Sequence, residues 1–220
     1  MKFAHLLPVL ALTLSGLFLA GCAEDPSGNV PSAEVTDANT AADSPAATAP
    51  STETDTYTFT EESKIGFVGS KVTGSHEGGF EKFSGTFSLA GDKPGPGPHT
   101  IEIDMTSTWS DNEKLTGHLK APDFFDVEKF PTSNFALNQV QPGDAPDTYT
   151  LSGDFTLHGV TKKISFPATI KKGPDGKVTL DAEFSINRKD FGINYPGKAD
   201  DLIRDGVVIK LAMVAEPASA

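Results

Sequence analysis

The chain has one cysteine, one tryptophan and three tyrosines in 220 residues. With Cys22 alone there is no partner for an intrachain disulfide, so stability must come from packing. One Trp and three Tyr cannot supply the two aromatic girdles of an outer-membrane barrel. Positive charge is also scarce: 18 Lys and Arg stand against 30 Asp and Glu, a net charge of −12. Residues 22–54 carry six acids and no Lys or Arg, and the sequence beyond them has 24 acids against 17 bases. That balance argues against nucleic acid, whose phosphates demand basic patches. It argues equally against attachment to anionic lipid by charge. No run matches the ~20 residues of a membrane-crossing helix. The apolar stretch from Leu6 to Leu19 is shorter and is interrupted by Pro8.

That stretch follows Lys2 and ends in Leu19-Ala20-Gly21-Cys22. A charged start, an apolar middle and small residues at a cleavage point are the layout of a secretory signal peptide. The cysteine after Ala-Gly resembles the lipobox of bacterial lipoproteins. The resemblance implies a signal peptide over 1–21, a diacylglyceryl group on the Cys22 thiol, and Cys22 as the mature N-terminus. The protein would then be exported, would face the periplasm and would be held to a membrane by its acyl chains. At about 0.8 kcal/mol per buried CH2 such a tether is long-lived. Ala23 is not acidic, which leans toward the outer membrane.

Residues 22–56 are rich in Ala, Ser, Thr, Pro and acids and have no aromatic residue. Such a stretch buries too little apolar surface to offset its ordering entropy, and it reads as a disordered linker. As a random coil it would hold the domain roughly 30–35 Å from its anchor. Composition changes at Tyr57, and the domain is expected over 57–216.

Within the domain apolar residues alternate with polar ones at period two, the signature of half-buried strands. Eight segments follow this rule, beginning with Ile65 and Phe67. Phe83 and Phe87 then share a face with Gly85 and Leu89, and Ile101 and Ile103 with Met105. Phe135, Phe155, Phe166 and Phe184 fall on the apolar faces of the next four segments. Val207, Ile209, Leu211 and Met213 close the set. Turn chemistry separates the segments at Gly91–Pro98, Gln141–Asp144, His158–Gly159 and Gly173–Gly176. The rhythm breaks at 111–131, where Leu115, Leu119 and Phe124-Phe125 predict short helical turns.

Eight such strands fit an all-β barrel or a sandwich, and an eight-stranded barrel is just wide enough to be filled by side chains or to hold one slender ligand. The fifteen Phe favour a hydrocarbon ligand over a sugar or nucleotide. Gly85 and Gly153, on apolar faces, read as room for that ligand.

The segment His118-Leu119-Lys120-Ala121-Pro122-Asp123-Phe124-Phe125-Asp126-Val127-Glu128-Lys129-Phe130-Pro131 resembles the signature of the YceI-like family. So do Leu151–Lys162, the pair Gly78-Gly79-Phe80 and Phe83-Ser84-Gly85, and Asn187–Ile193, in the family's order. The resemblance implies an extended, lipocalin-like, eight-stranded antiparallel barrel with a short helical insertion around 111–131. It also implies binding of a polyisoprenoid lipid, such as an isoprenoid quinone or a prenyl pyrophosphate. By resemblance Phe124 and Phe125 belong to a loop over one barrel end. Thr106–Asp111 fits the family pattern only in part, and Trp109 is expected to narrow or line the mouth.

The expected ligand-binding set is therefore the alternating Phe83, Phe87, Met105, Phe135, Phe155, Phe166 and Phe184, with Leu119, Phe124 and Phe125 at the end loop. Trp109, Arg188 and Phe191 complete it. Arg188 ends an apolar strand; its guanidinium could take a pyrophosphate or quinone oxygen, or pair with Asp190 or Asp126. His118, Asp123 and Asp126 could form an acid–base cluster, but only if they converge on a pocket. Otherwise Asp123 caps a turn and Asp126 pairs with a lysine. The histidines at 76, 99, 118 and 158 lack metal-ligand spacing. No phosphate loop or nucleophile elbow is present, and no cofactor is expected. The leading expectation is a lipid-anchored binding protein and not an enzyme. The rivals are a filled-barrel interaction module of the envelope and, behind it, an enzyme using the His118 cluster.

Overall fold

A computed structural model describes residues 24–38 and 54–218. Cys22 and the expected signal peptide lie outside the described residues. In chain order the strands are β1 (Glu34–Asp37), β2 (Asp55–Phe59), β3 (Lys64–Lys71), β4 (Gly74–Phe80) and β5 (Phe83–Ala90), then β6 (Lys93–Pro94), β7 (Thr100–Asp104) and β8 (Thr108–Ser110). After helix α1 (Glu113–Lys120) come β9 (Thr132–Pro142), β10 (Thr148–Leu157), β11 (Val160–Lys172) and β12 (Val178–Asn187). The short pair β13 (Gly197–Lys198) and β14 (Asp201–Leu202) precedes β15 (Gly206–Pro217).

β2 and β3 are one stave bent at 60–63, β4 and β5 one stave bent at 81–82, and β7 and β8 one stave bent at the 3-10 turn Met105–Ser107. With β9, β10, β11, β12 and β15 they make eight antiparallel staves. Each pairs with its sequence neighbour, and β15 closes on β2 and β3. This is the closed eight-stranded barrel that the family resemblance implied, and it decides between the barrel and the sandwich that the alternation allowed: one apolar face per strand leaves an inside and an outside. β10 and β11 join through a two-residue hairpin whose His158 (φ 51°) and Gly159 (φ 73°) are both left-handed, as that tight turn requires.

The helical insertion is one eight-residue helix followed by turns. Asn112 caps it, its side-chain oxygen accepting from the Leu115 amide at 3.1 Å. Together with the turn at 72–73 and residues 188–205 it forms one end of the barrel, called here the lower end. The hairpins at 143–147 and 173–177 form the upper end.

Residues 24–38 correct the expectation of a disordered linker over 22–56. β11 and β12 pair only through Thr169–Lys172 against Val178–Asp181. Below that they part, and the N-terminal segment fills the slot. Glu34, Val35, Thr36 and Asp37 lie antiparallel to Ser165, Ile164, Lys163 and Lys162 of β11. On the other side Ser32 makes a parallel bridge to Ser185 of β12. The Ala33 amide donates to the Ser185 carbonyl and the Ser185 amide to the Pro31 carbonyl, both at 2.8 Å. Ala33 is buried in the core, and Val35 packs against it. Pro167 marks where the β11–β12 ladder stops; without an amide hydrogen it suits a strand edge. Lys162 and Lys163 are thus paired to β1. Residues 39–53 lie outside the described residues.

Candidate ligand cavity

The inner faces of the staves enclose three apolar cavities in a row that share walls. The lower one has a volume of about 110 Å³ and reaches from Phe155 down to Gly69, Ile203 and Arg204 at the rim. The middle one, about 60 Å³, is lined only by apolar residues and Gly66. Phe80, Ile103, Phe155 and Ile209 stand between these two. Ile101, Phe135, Phe166 and Leu211 stand between the middle cavity and an upper one of about 20 Å³. The row follows the barrel axis. At ~3.3 Å per residue and the usual barrel tilt, staves as long as the twelve residues of β15 give a height of roughly 30 Å.

The expected residues divide by position. Phe135, Phe155, Phe166 and Phe184 line the middle cavity. Phe87 lines the upper one, and Leu119, Phe124, Phe125 and Arg188 line the lower one. Phe83, Met105 and Phe191 line none of the three. Phe83 packs against the core, Met105 is buried beside the 3-10 turn, and Phe191 is fully buried with its ring 5.2 Å from Phe155. Trp109 is a correction. It is paired opposite Gly79, its ring lies over that glycine on the outer face, and it is 41% exposed. It neither lines nor narrows the mouth.

Gly85 and Gly153 do not make room for a ligand. A Cβ on Gly85 would sit 2.1 Å from the Thr100 carbonyl oxygen, and one on Gly153 2.4 Å from that of Ala136. Both let the neighbouring backbone approach closely, Gly153 at a register shift between β9 and β10. Gly78 is likewise filled by its neighbours: an added Cβ would strike the Phe67 ring at 2.4 Å and the Trp109 carbonyl oxygen at 2.6 Å.

Phe67 and Phe80 were not in the expected set although both line the lower cavity. With Phe125 they form a ring cluster at centroid distances of 5.7 to 6.1 Å. The period-two alternation that selected Phe87 also marks Phe67, which follows Ile65, but not Phe80, which has His76, Gly78, Lys82 and Ser84 at the alternate positions. Ile193 and Ile203 carried no such signal, since they lie outside the long strands.

Arg188 is buried, 4% exposed. Its Nη1 donates to the Ile193 carbonyl at 2.6 Å, its Nε to the Arg204 carbonyl at 3.1 Å, and its Nη2 to Asp205 at 3.2 Å. Burial pulls the guanidinium below its ordinary value, and Asp205 opposes that. The partner is Asp205, not the expected Asp190 or Asp126. The donors are spent on the protein, so Arg188 fastens residues 193–205 under the barrel instead of offering a fork to a pyrophosphate.

His118 and Asp123 meet at 3.1 Å on the exposed side of the end loop. The His118 ring packs on Phe124 and Tyr195. Asp126 is not part of the pair. It takes φ 48°, and its carbonyl accepts from the amides of Lys129 and Phe130. The three side chains do not converge on a pocket. Among the described residues no group of three or more His, Cys, Asp or Glu is placed to hold a metal ion.

His99 is the polar feature of the upper cavity. Its Nε2 bonds the Gly95 carbonyl at 2.8 Å, and its Nδ1 accepts from the Ser88 amide at 3.2 Å. Its ring lies 4.6 Å from Phe87. Burial lowers its pKa, the Gly95 bond acting the other way.

The YceI-like domain profile matches residues 57–215. The chain belongs to the YceI-like family. A UPF0312 protein of Pseudomonas putida F1 is 34% identical over 153 residues, covering 64% of this chain and 78% of its own. One of Pseudomonas fluorescens SBW25 is 31% identical over 158 residues, covering 67% and 81%. Among solved structures, Burkholderia cenocepacia BcnA superposes at a TM-score of 0.63 with 23% identity, over 70% of this chain and 96% of that one. A polyisoprenoid binding domain from Saccharophagus degradans superposes at 0.60 with 16% identity, over 76% and 100%. At these identities the two structures share the fold. The matched family region starts at Tyr57, so residues 24–38 lie outside it.

Proposed function

We propose that this protein is a lipid-anchored binding protein of the bacterial envelope that sequesters or carries a polyisoprenoid in its barrel. The observation that carries the reading is the row of apolar cavities along the axis, with almost no polar lining above its lower mouth. Such a space suits a flexible hydrocarbon chain, whose burial contributes about 0.8 kcal/mol per CH2 without any charge contact. The barrel of the Saccharophagus domain, described as polyisoprenoid binding, supports the ligand class. Arg188 and Arg204 at the mouth are both engaged by the protein itself, which favours a neutral head such as a quinone over a pyrophosphate. No catalytic step is required. Anchoring rests on the Cys22 sequence pattern, and so do export, a periplasm-facing site and the outer membrane as its address.

Native mass spectrometry tests this on residues 24–220 expressed into a bacterial periplasm and purified without detergent. The expected result is an adduct that organic extraction identifies as a prenyl chain, lost in Ile103→Trp, which blocks the passage between the lower and middle cavities. An apo mass that fails to take up added isoprenoid quinone would overturn the reading in favour of a filled-barrel interaction module.

A further inference from the structure

The N-terminal segment meets the barrel at its lower rim and not at the end of a long tether. The Arg204 Nη1 donates to the Glu24 carbonyl at 3.1 Å, and Arg204 Nε lies 3.7 Å from Asp25. Asp25 caps the 3-10 turn Pro26–Asn29, which packs against β15. From there the chain enters the β11–β12 slot. Cys22 precedes Glu24 by two residues, a reach of roughly 7 Å. Arg204 and Ile203 line the lower cavity. Beside them the Val72 amide donates to the Leu202 carbonyl at 3.2 Å, and the Arg204 amide to the Ser70 carbonyl. Val72 and Leu202 are 41% and 50% exposed, and with Trp109 they are the large exposed apolar residues among those described. At the rim Lys71 pairs with Asp201, Lys189 and Arg188 with Asp205, and Arg204 with Asp25. The exposed Lys198 and Asp200 beside Leu202 are of opposite sign, so the apolar side chains of the rim sit among charges that nearly balance, on a protein of net charge −12.

We propose that this lower rim is the face that lies on the membrane, held there by residues 24–38, so that the cavity mouth opens onto the bilayer. The inference rests on the anchored-carrier reading and adds an orientation to it. An anchor within about 7 Å keeps the rim at high effective concentration at the surface, so two apolar side chains suffice to choose the face. Lipid would then pass between bilayer and barrel without crossing water.

The sole cysteine allows a test that does not depend on natural lipidation. The chain from Cys22 onward is coupled through that thiol to a maleimide phospholipid in phosphatidylcholine vesicles containing brominated lipid. Two variants carry one tryptophan each: Trp109→Phe with Leu202→Trp at the rim, and Trp109→Phe with Asp144→Trp at the upper end. The rim tryptophan should lose roughly half its emission, as for a side chain 5–10 Å into the interface, and the upper one none. Deleting 24–38 should restore the rim emission. Equal emission at both positions, or quenching that survives the deletion, would overturn the proposal. Intact mass of the protein from bacterial membranes reads lipidation separately. An unmodified Cys22 there would sink the anchored reading whatever the vesicles show.

Discussion

β12 has two unlike neighbours. Against β15 it pairs without a break from Val178 to Asn187, and against β11 through only four pairs at its upper end. The first seam is fastened at the bottom by Arg188, whose amide and guanidinium hold the chain just ahead of β15. The second is finished by residues 31–37, which are remote in sequence and outside the matched family domain. One side of β12 is therefore paired along its whole length, while the other is completed by a remote segment whose Ala33 and Val35 reach into the core.

The contrast is broken most severely at the fully paired seam. Arg188→Met leaves the Ile193 and Arg204 carbonyls without their donor and removes a buried charge from its partner, so it should cost about 3 kcal/mol in urea unfolding. Deleting 24–38 should cost less, on the order of 2 kcal/mol, since it removes a few backbone bonds and the burial of Ala33 and Val35. In that deletion the Ser185 amide should exchange rapidly with deuterium while the Leu180 amide stays protected. Equal protection would mean that β11 and β12 close on each other unaided.

His99 lies away from both seams and serves as the control. Burial holds its folded pKa below the ordinary 6.5, so its contribution is complete above 6.5 and is lost as pH falls through the lower folded value. Wild-type stability should therefore drop more between pH 7.5 and 5 than that of His99→Gln, with the two seam variants following the wild-type slope. The smallest effect belongs to Asp37→Asn. Lys162 holds the Asp37 carboxyl below its usual range, but the pair is solvent-exposed. Its removal should leave the urea midpoint nearly unchanged, because screened surface pairs contribute little. A large drop would show that the ion pair, and not backbone pairing, holds β1 in the slot.

Much of the cavity was legible because alternation is local. Phe135, Phe155, Phe166 and Phe184 face inward for the same reason that their polar neighbours face out, and a closed barrel gives that inside a single axis. The side on which Trp109 falls was not legible, since a bend at Met105–Ser107 resets the stave ahead of it. Gly85 and Gly153 look alike as gaps in an apolar face, and only the neighbouring strand shows that backbone fills them. For Arg188 the sequence suggested Asp190 or Asp126, and the fold chose Asp205, 17 residues further along the chain.

The residue pattern alone determined the strand class, the number of staves, the turns and the apolar interior, because each depends on side chains within one or two residues of each other. The N-terminal strand was decided only by tertiary structure. Residues 31–37 have too little apolar surface to order themselves, and their backbone donors and acceptors find partners only where Pro167 ends the β11–β12 ladder and leaves a slot. Its edges come from strands some 130 to 150 residues away. No local signal in an Ala-, Ser- and Thr-rich stretch could report a vacancy that far along the chain.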